Sequence, residues 1–139
     1  MVASRSNAAR SLIAGMALVA LTACAAAVAL PPASASPQVV LDTYLRALVA
    51  GDCSIGRELW SEGAATGVRG DLCGETQVSA YGIGGEPAQP TANELVFVTT
   101  LTTTGTRDGS VRAGQITWFF TLRREANGVW RIWGEGSGP

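Results

Sequence analysis

The sequence of 139 residues contains no histidine and no lysine, and only 15% of its residues are charged. The missing histidine excludes a Ser-His-Asp triad, a Cys-His catalytic pair and any metal site with a histidine ligand. The missing lysine excludes the usual phosphate-binding loop. A formal net charge of −1 gives no electrostatic basis for binding nucleic acid. We therefore expect no metal, no cofactor and no nucleic-acid partner.

Cysteine is also scarce, with residues Cys24, Cys53 and Cys73. No two of them have the C-x-x-C spacing that redox-active pairs and zinc ribbons use. A structural role is therefore favoured for the cysteines of the domain.

The hydrophobic residues are concentrated at the start of the chain, where they make up 24 of the first 35 positions. Arg5 and Arg10 precede a stretch that carries no charge from Ser11 to Ser36. This stretch has no polar face, whereas an amphipathic core helix would show one. Residues 1–35 are therefore predicted to be an export signal, followed by one domain at 36–139.

The end of this leader has three alternative interpretations. Leu21-Thr22-Ala23-Cys24 resembles a bacterial lipobox, which implies a leader of residues 1–23 and a lipid on Cys24. Ala33-Ser34-Ala35 instead fits a signal peptidase site after Ala35. The apolar stretch of residues 12–30 is also long enough for an uncleaved anchor. All three predict that the domain is extracytoplasmic, on the outer face of the membrane or secreted, with membrane contact only through the lipid or leader.

Cys53 and Cys73 are predicted to form a disulfide bond. Cleavage at either site leaves them as an even pair in an oxidising compartment. They would close a loop of about 20 residues, which stabilises a fold by about 3 kcal/mol on the chain-entropy model.

The domain begins with helical patterns. Ser36 and Pro37 are typical of a helix start, apolar residues then recur at three- and four-residue spacing, and Gly51 ends the pattern. Asp52 opens a second short helix that extends to Trp60.

After a glycine-rich loop the period changes to two, which predicts strands. Asn127-Gly128 is the strongest hairpin signal, and it precedes the last strand. The order of elements predicts an α+β domain with two helices packed on a four-stranded antiparallel sheet. The predicted strands are residues 77–83, 94–104, 111–124 and 129–133, with a loop at 84–93 and a tail at 134–139.

This layout resembles the nuclear transport factor 2-like family. The resemblance is carried by the first helix (residues 39–48), by Gly51-Asp52, and by the closing hairpin around Asn127-Gly128. Cys53 and Cys73 further resemble the cysteines of small exported actinobacterial members of lipoprotein type. The resemblance implies a curved sheet wrapped around a helix, as a cone whose open end can hold a ligand.

Aromatic residues are the candidates for lining such a pocket, and the alternative is that they fill the core. The candidates are Tyr44, Trp60, Tyr81 and Trp118. Trp130 and Trp133 lie on opposite faces of the last strand, so an exposed tryptophan would suit a partner surface.

Catalysis in this family uses acid or base side chains in the cone. Only Glu58 and Glu94 are placed where they could point inward, and we identify no catalytic residue. The favoured function is an exported, non-catalytic binding module of the bacterial cell envelope. The alternatives are an isomerase or lyase for a small hydrophobic substrate and a structural partner in an envelope or secretion complex. The candidate partners are a small hydrophobic ligand, an envelope protein or a second copy of the chain in a homodimer.

Overall fold

The computed structural model describes residues 27–64 and 72–138, and it confirms an α+β domain with an antiparallel sheet. Cys24 and most of the predicted leader lie outside the described residues. Within the described ranges, no helix has the length and apolar character needed to cross a membrane. The elements are α1 (Pro37–Ala50), α2 (Cys53–Glu58), β1 (Val78–Ile83), β2 (Ala88–Thr91), β3 (Glu94–Thr104), β4 (Ala113–Arg124) and β5 (Trp130–Gly136).

Helix α1 begins and ends where the capping residues predict. The Ser36 side chain accepts a hydrogen bond from the Val39 backbone N–H, and Pro37 occupies the first turn. Gly51 has a φ of 70° and closes the helix in the left-handed conformation. Both signals are local, so the bounds of the helix follow from residues at its own two ends.

The sheet curves around α1. Its main path runs β1-β3-β4-β5, and α1 contacts both β1 and β5, the strands at opposite ends of that path. A flat sheet could not reach one helix from both ends. The α1 residues that are buried include Val40, Leu41, Tyr44, Leu45 and Leu48.

Two hydrogen bonds between a tyrosine and a carboxylate hold α1 in this position. The Tyr81 hydroxyl on β1 donates to Asp42 Oδ1 on α1 at 2.7 Å. The Tyr44 hydroxyl on α1 donates to Glu135 Oε2 on β5 at 3.4 Å. Withdrawal of the ring from water and the bond to Asp42 raise the pKa of Tyr81 to about 12. The helix is thus tied by polar contacts to both ends of the sheet.

The prediction of four strands was wrong, because β2 lies within the segment predicted as a loop. β2 pairs with β3 through Ala88 opposite Val96 and Thr91 opposite Glu94, and all four of its residues are exposed. It contains Pro90 and buries no apolar side chain, so no alternating pattern marks it. The predicted end of the last strand, at residue 133, was also too early, since β5 continues to Gly136.

The Cys53–Cys73 disulfide bond joins the first turn of α2 to the segment before β1. The two sulfur atoms are bonded and the Cα atoms are 5.7 Å apart. The bond therefore holds the first turn of α2 beside the segment that leads into β1, across a separation of 20 residues.

Replacing both cysteines in a Cys53→Ala/Cys73→Ala variant is expected to lower the free energy of unfolding by about 3 kcal/mol, because the unfolded chain regains the entropy of the open loop. Urea unfolding followed by circular dichroism measures this. Wild-type protein kept reduced is the control and should match the variant. An unchanged midpoint for the variant would contradict a stabilising bond.

Titration of the Tyr81 phenol tests its hydrogen bond to Asp42. The chain has two tyrosines, so Tyr44→Phe leaves Tyr81 as the only phenol. Its absorbance titration should have a midpoint near pH 12 in the folded protein and near pH 10 in denaturant. Because folding raises this pKa, the stability that the bond adds is complete below pH 10 and disappears as the pH rises towards 12.

The matched control for this titration adds Asp42→Asn to the Tyr44→Phe variant. The midpoint of Tyr81 should then move back towards 10, because the charged acceptor is gone. A midpoint near 10 in the folded Tyr44→Phe protein would show that the hydrogen bond to Asp42 does not exist in solution.

Candidate functional site

A β-bulge in β5 determines which of its side chains face α1. Leu122 of β4 pairs with Ile132 and the preceding Thr121 pairs with Gly134, so Trp133 is an extra residue on β5. A bulge shifts the alternation of side chains by one position. As a result, Ile132 and Glu135 both face inward although they are three residues apart, and Glu135 lies opposite Phe120.

Glu135 meets the aromatic core at Tyr44. The Tyr44 ring is 1% exposed and packs edge-on against Phe120 at 5.5 Å and against Trp60 at 6.3 Å between ring centroids. Its hydroxyl donates to Glu135 Oε2, and Glu135 Oε1 is shielded from solvent. The inner face of the sheet therefore presents a carboxylate and a phenol in hydrogen-bond contact, supported by packed rings.

Trp118 lies next to Phe120 on the same inward face of β4. Its side chain is buried, with a relative exposure of 7%, and its backbone carbonyl accepts a hydrogen bond from the Thr99 hydroxyl at 2.8 Å. The indole Nε1–H is buried and has no hydrogen-bond partner among the described residues. A buried donor without a partner costs about 1–3 kcal/mol, so its presence requires an explanation.

A cleft of about 430 Å³ opens beside Trp118, and we call it the β4 cleft. Its β4 wall consists of four consecutive residues, from Gln115 to Trp118. Consecutive residues of a strand point to opposite faces, so a cleft that touches all four must lie along the edge of the strand. The β4 cleft is lined by Gly109, Ser110, Arg112, Gln115, Ile116, Thr117, Trp118 and Ser137.

The β4 cleft combines an apolar wall with a free positive charge. Ile116 and Trp118 supply the inward apolar surface, while Arg112 is exposed at one end. Over the described ranges the ion pairs are Asp42–Arg46 and Glu94–Arg123, and neither involves Arg112. Such a cleft can accept a ligand that has an apolar body, a hydrogen-bond acceptor for the indole and a negative group for the guanidinium.

Three of the four aromatic pocket candidates meet on the inner face of the sheet. Tyr44 contacts Trp60 directly, and Trp118 is two positions from Phe120, which Tyr44 also contacts. Tyr81 is separate from them on β1, where it binds Asp42.

Trp60 was predicted on α2, but that helix ends at Glu58. Trp60 instead forms a bridge with Ile132 of β5, and the Ile132 backbone N–H donates to the Leu59 carbonyl at 2.9 Å. The bridge pairs the chain after α2 with β5 and so brings the Trp60 side chain into the core, at a relative exposure of 5%.

The two carboxylates proposed for the cone do not face it. Glu58 is exposed on α2, and Glu94 binds Arg123 on the outer face of the sheet, opposite it in the register. The inward carboxylate is Glu135, which lies in the segment predicted as a tail. Glycines on both sides of it, within a strand that starts with Trp130, are the signal that could have indicated a bulged strand.

Trp130 and Trp133 lie on opposite faces, as the alternation predicted. Trp130 packs against the core, whereas the Trp133 ring lies under the Arg123 guanidinium at 4.2 Å. Both are half-buried. A role in contacting an envelope protein therefore stays a prediction for both residues.

A protein site for a metal ion needs several ligating side chains close together, and carboxylates and cysteines are the candidates in this chain. No group of three or more that could hold a metal ion occurs in the part of the chain that the structure describes.

Comparisons with known proteins give a structural likeness but no match of sequence. No family model matches the sequence, and no curated protein matches it. Among solved structures, the chain is similar to the Δ5-3-ketosteroid isomerase from Mycobacterium sp., with 18% sequence identity and a TM-score of 0.47. The match covers 72% of this chain and 92% of that chain. Both similarity values are low, so membership of a family stays a prediction from the sequence.

Proposed function

We propose that this chain is an exported, non-catalytic binding module of the cell envelope and that its ligand occupies the β4 cleft. One observation supports this most directly: Trp118 is one of the residues that line that cleft, and its buried indole N–H has no partner among the described residues. An acceptor atom on a ligand would remove the cost of that unpaired donor.

The lining of the β4 cleft defines the ligand that would fit. Ile116 and the Trp118 ring favour an apolar or aromatic body. The indole N–H requires an acceptor, and the Arg112 guanidinium favours a carboxylate or another anionic group because such pairs form charge-assisted hydrogen bonds. The ligand is thus amphipathic, with its negative group near Arg112.

The proposal that the domain is extracytoplasmic rests on the leader and on the cysteines. The Cys53–Cys73 bond suits an oxidising compartment, and the apolar leader suits export. Membership of the nuclear transport factor 2-like family is likewise our inference, supported by the pattern of the first helix and by the curved sheet around it.

The probe for this function is 8-anilinonaphthalene-1-sulfonate, which combines an aromatic body with an anionic acceptor. We expect its fluorescence to rise on binding wild-type protein. Trp118→Phe should weaken the affinity about tenfold by removing one hydrogen bond to a charged group, and Arg112→Gln should weaken it by a similar factor.

Arg107→Gln is the matched control for this experiment, because Arg107 lies in the same hairpin turn but does not line the β4 cleft. Its affinity for the dye should equal that of the wild type. Near-ultraviolet circular dichroism verifies that each variant keeps its packing, since loosened cores also bind this dye. Equal affinity in all four proteins would refute the proposed site.

A second function, proton transfer on a small hydrophobic substrate, is favoured by one feature. Glu135 is an inward carboxylate, and it lies one inward position before Ser137, which lines the β4 cleft. Its Oε1 is shielded from solvent, and a positioned carboxylate can act as a general base. The Tyr44 hydroxyl would hold this carboxylate in position.

The probe for proton transfer is 5-nitrobenzisoxazole, whose ring opens when a base removes its carbon-bound proton. If Glu135 is such a base, wild-type protein should open the ring at least tenfold faster than the Glu135→Gln variant, as measured by absorbance of the phenolate product. Glu125→Gln is the control, since Glu125 binds Ser61 and lies outside the β4 cleft. Equal rates in the wild type and Glu135→Gln would exclude this function for the probe's class of substrate.

A further inference from the structure

The edge of β4 that faces β5 is paired along only half of its length. On one side β4 pairs with β3 from Ala113 to Arg123, whereas on the other side β5 begins to pair at Phe119. Gln115–Trp118 therefore has no strand partner on the β5 side within the described residues, and we call this stretch the open edge. Gly114, with a φ of 96°, marks the end of its regular conformation.

The open edge exposes backbone groups that need partners. In an antiparallel sheet the N–H and C=O groups of alternate residues point towards the same neighbouring strand. About half of those in Gln115–Trp118 therefore point towards the β5 side, where no described strand pairs with them. An unpaired edge of this kind is a template for another extended chain.

The side chains of the open edge are arranged to receive an extended chain as well. Ile116 and Trp118 face inward, while Gln115 and Thr117 are exposed on the outer face. A strand added here would place every second side chain against Ile116 and Trp118. It would place the remaining side chains over Gln115 and Thr117.

The direction of such a strand follows from β5. β5 runs antiparallel to β4, and its Gly136 reaches the position opposite Phe119. A chain that continues this direction passes Trp118 first and Gln115 last, so its carboxyl end arrives next to Arg112. An exposed guanidinium without an ion pair among the described residues thus lies where a terminal carboxylate would be.

We propose that the ligand of the β4 cleft is an extended peptide that adds a strand to the open edge, antiparallel to β4, with its terminal carboxylate on Arg112. This inference rests on the proposed binding function and specifies its ligand class. The backbone of the peptide bonds the open edge. An acceptor of the peptide meets the Trp118 indole N–H, and its apolar side chains contact Ile116 and Trp118.

The probe is an acetylated hexapeptide, Thr-Val-Thr-Val-Thr-Val, with a free terminal carboxylate. Binding to the wild-type protein is measured by isothermal titration calorimetry, and backbone amide exchange is measured by NMR in the same complex. We expect binding together with at least tenfold slower exchange of amides within Gln115–Trp118. The amides of β1, which also has an unpaired outer side among the described residues, should not change.

Two modified peptides separate the contributions to binding. The same sequence with N-methyl groups on alternate residues cannot donate backbone hydrogen bonds on that side, and it should bind at least tenfold more weakly when the methylated residues face β4. The sequence with a terminal amide should also bind more weakly, by the same factor as Arg112→Gln weakens binding of the parent peptide. Arg107→Gln should leave the affinity of the parent peptide unchanged.

The outcomes distinguish this inference from the proposed function. Binding of the naphthalene dye at the β4 cleft without binding of the peptide would overturn strand addition and leave the cleft as a small-molecule site. Equal affinity of the methylated and parent peptides would also overturn it, and so would slower exchange at β1 instead of the open edge. Failure of both the dye and the peptide would overturn the proposed function itself.

Discussion

The burial of one face of α1 is the constraint on which the rest of this structure depends. Leu41, Tyr44 and Leu45 are at most 1% exposed, and one flat sheet cannot cover them from two sides. The sheet therefore curves until β1 and β5 both contact the helix. A side chain of Leu size that is fully buried contributes about 1.5–3 kcal/mol, so this helix face supplies a large part of the driving force for folding.

The strand β5, at one end of the curved sheet, both contacts α1 and leaves part of β4 without a described neighbour. At Trp133 the bulge in β5 turns Glu135 inward, where it receives the hydrogen bond from Tyr44. β5 ends at Gly136, opposite Phe119, and the remaining half of β4 is left without a neighbour on that side among the described residues. One strand, β5, therefore makes the contact that positions the helix and, by ending at Gly136, leaves the edge of β4 open at the β4 cleft.

Local signals explain what could be predicted from the sequence. Ser36, Pro37 and Gly51 determine the bounds of α1 through capping geometry, and the parity and spacing of Cys53 and Cys73 indicated their bond. The β-branched and aromatic content of β3 and β4 marked them as strands. These features need no knowledge of distant contacts, which is why the predictions for them were confirmed.

The features that sequence reasoning missed depend on neighbours in space. β2 is held by backbone hydrogen bonds to β3 and buries no side chain, so it has no hydrophobic pattern. The sequence of β5 fits a regular strand as well as a strand with a bulge at Trp133. Glu135 faces inward only because the bulge is present, and it would face outward in a regular strand. The Trp118 indole N–H lacks a partner within residues 27–64 and 72–138, and this can be recognised only from the positions of its neighbours in space.

The ligand proposed for the β4 cleft supplies an acceptor to the Trp118 indole N–H, which has none among the described residues. The chain has four tryptophans, so its ¹H–¹⁵N spectrum contains four indole N–H signals, and Trp118→Phe identifies the one that belongs to Trp118. At saturation with 8-anilinonaphthalene-1-sulfonate, we expect a downfield shift of that proton and at least tenfold slower exchange with solvent, while the Trp130 and Trp133 signals change little. An unmoved Trp118 signal at saturation would contradict this proposal.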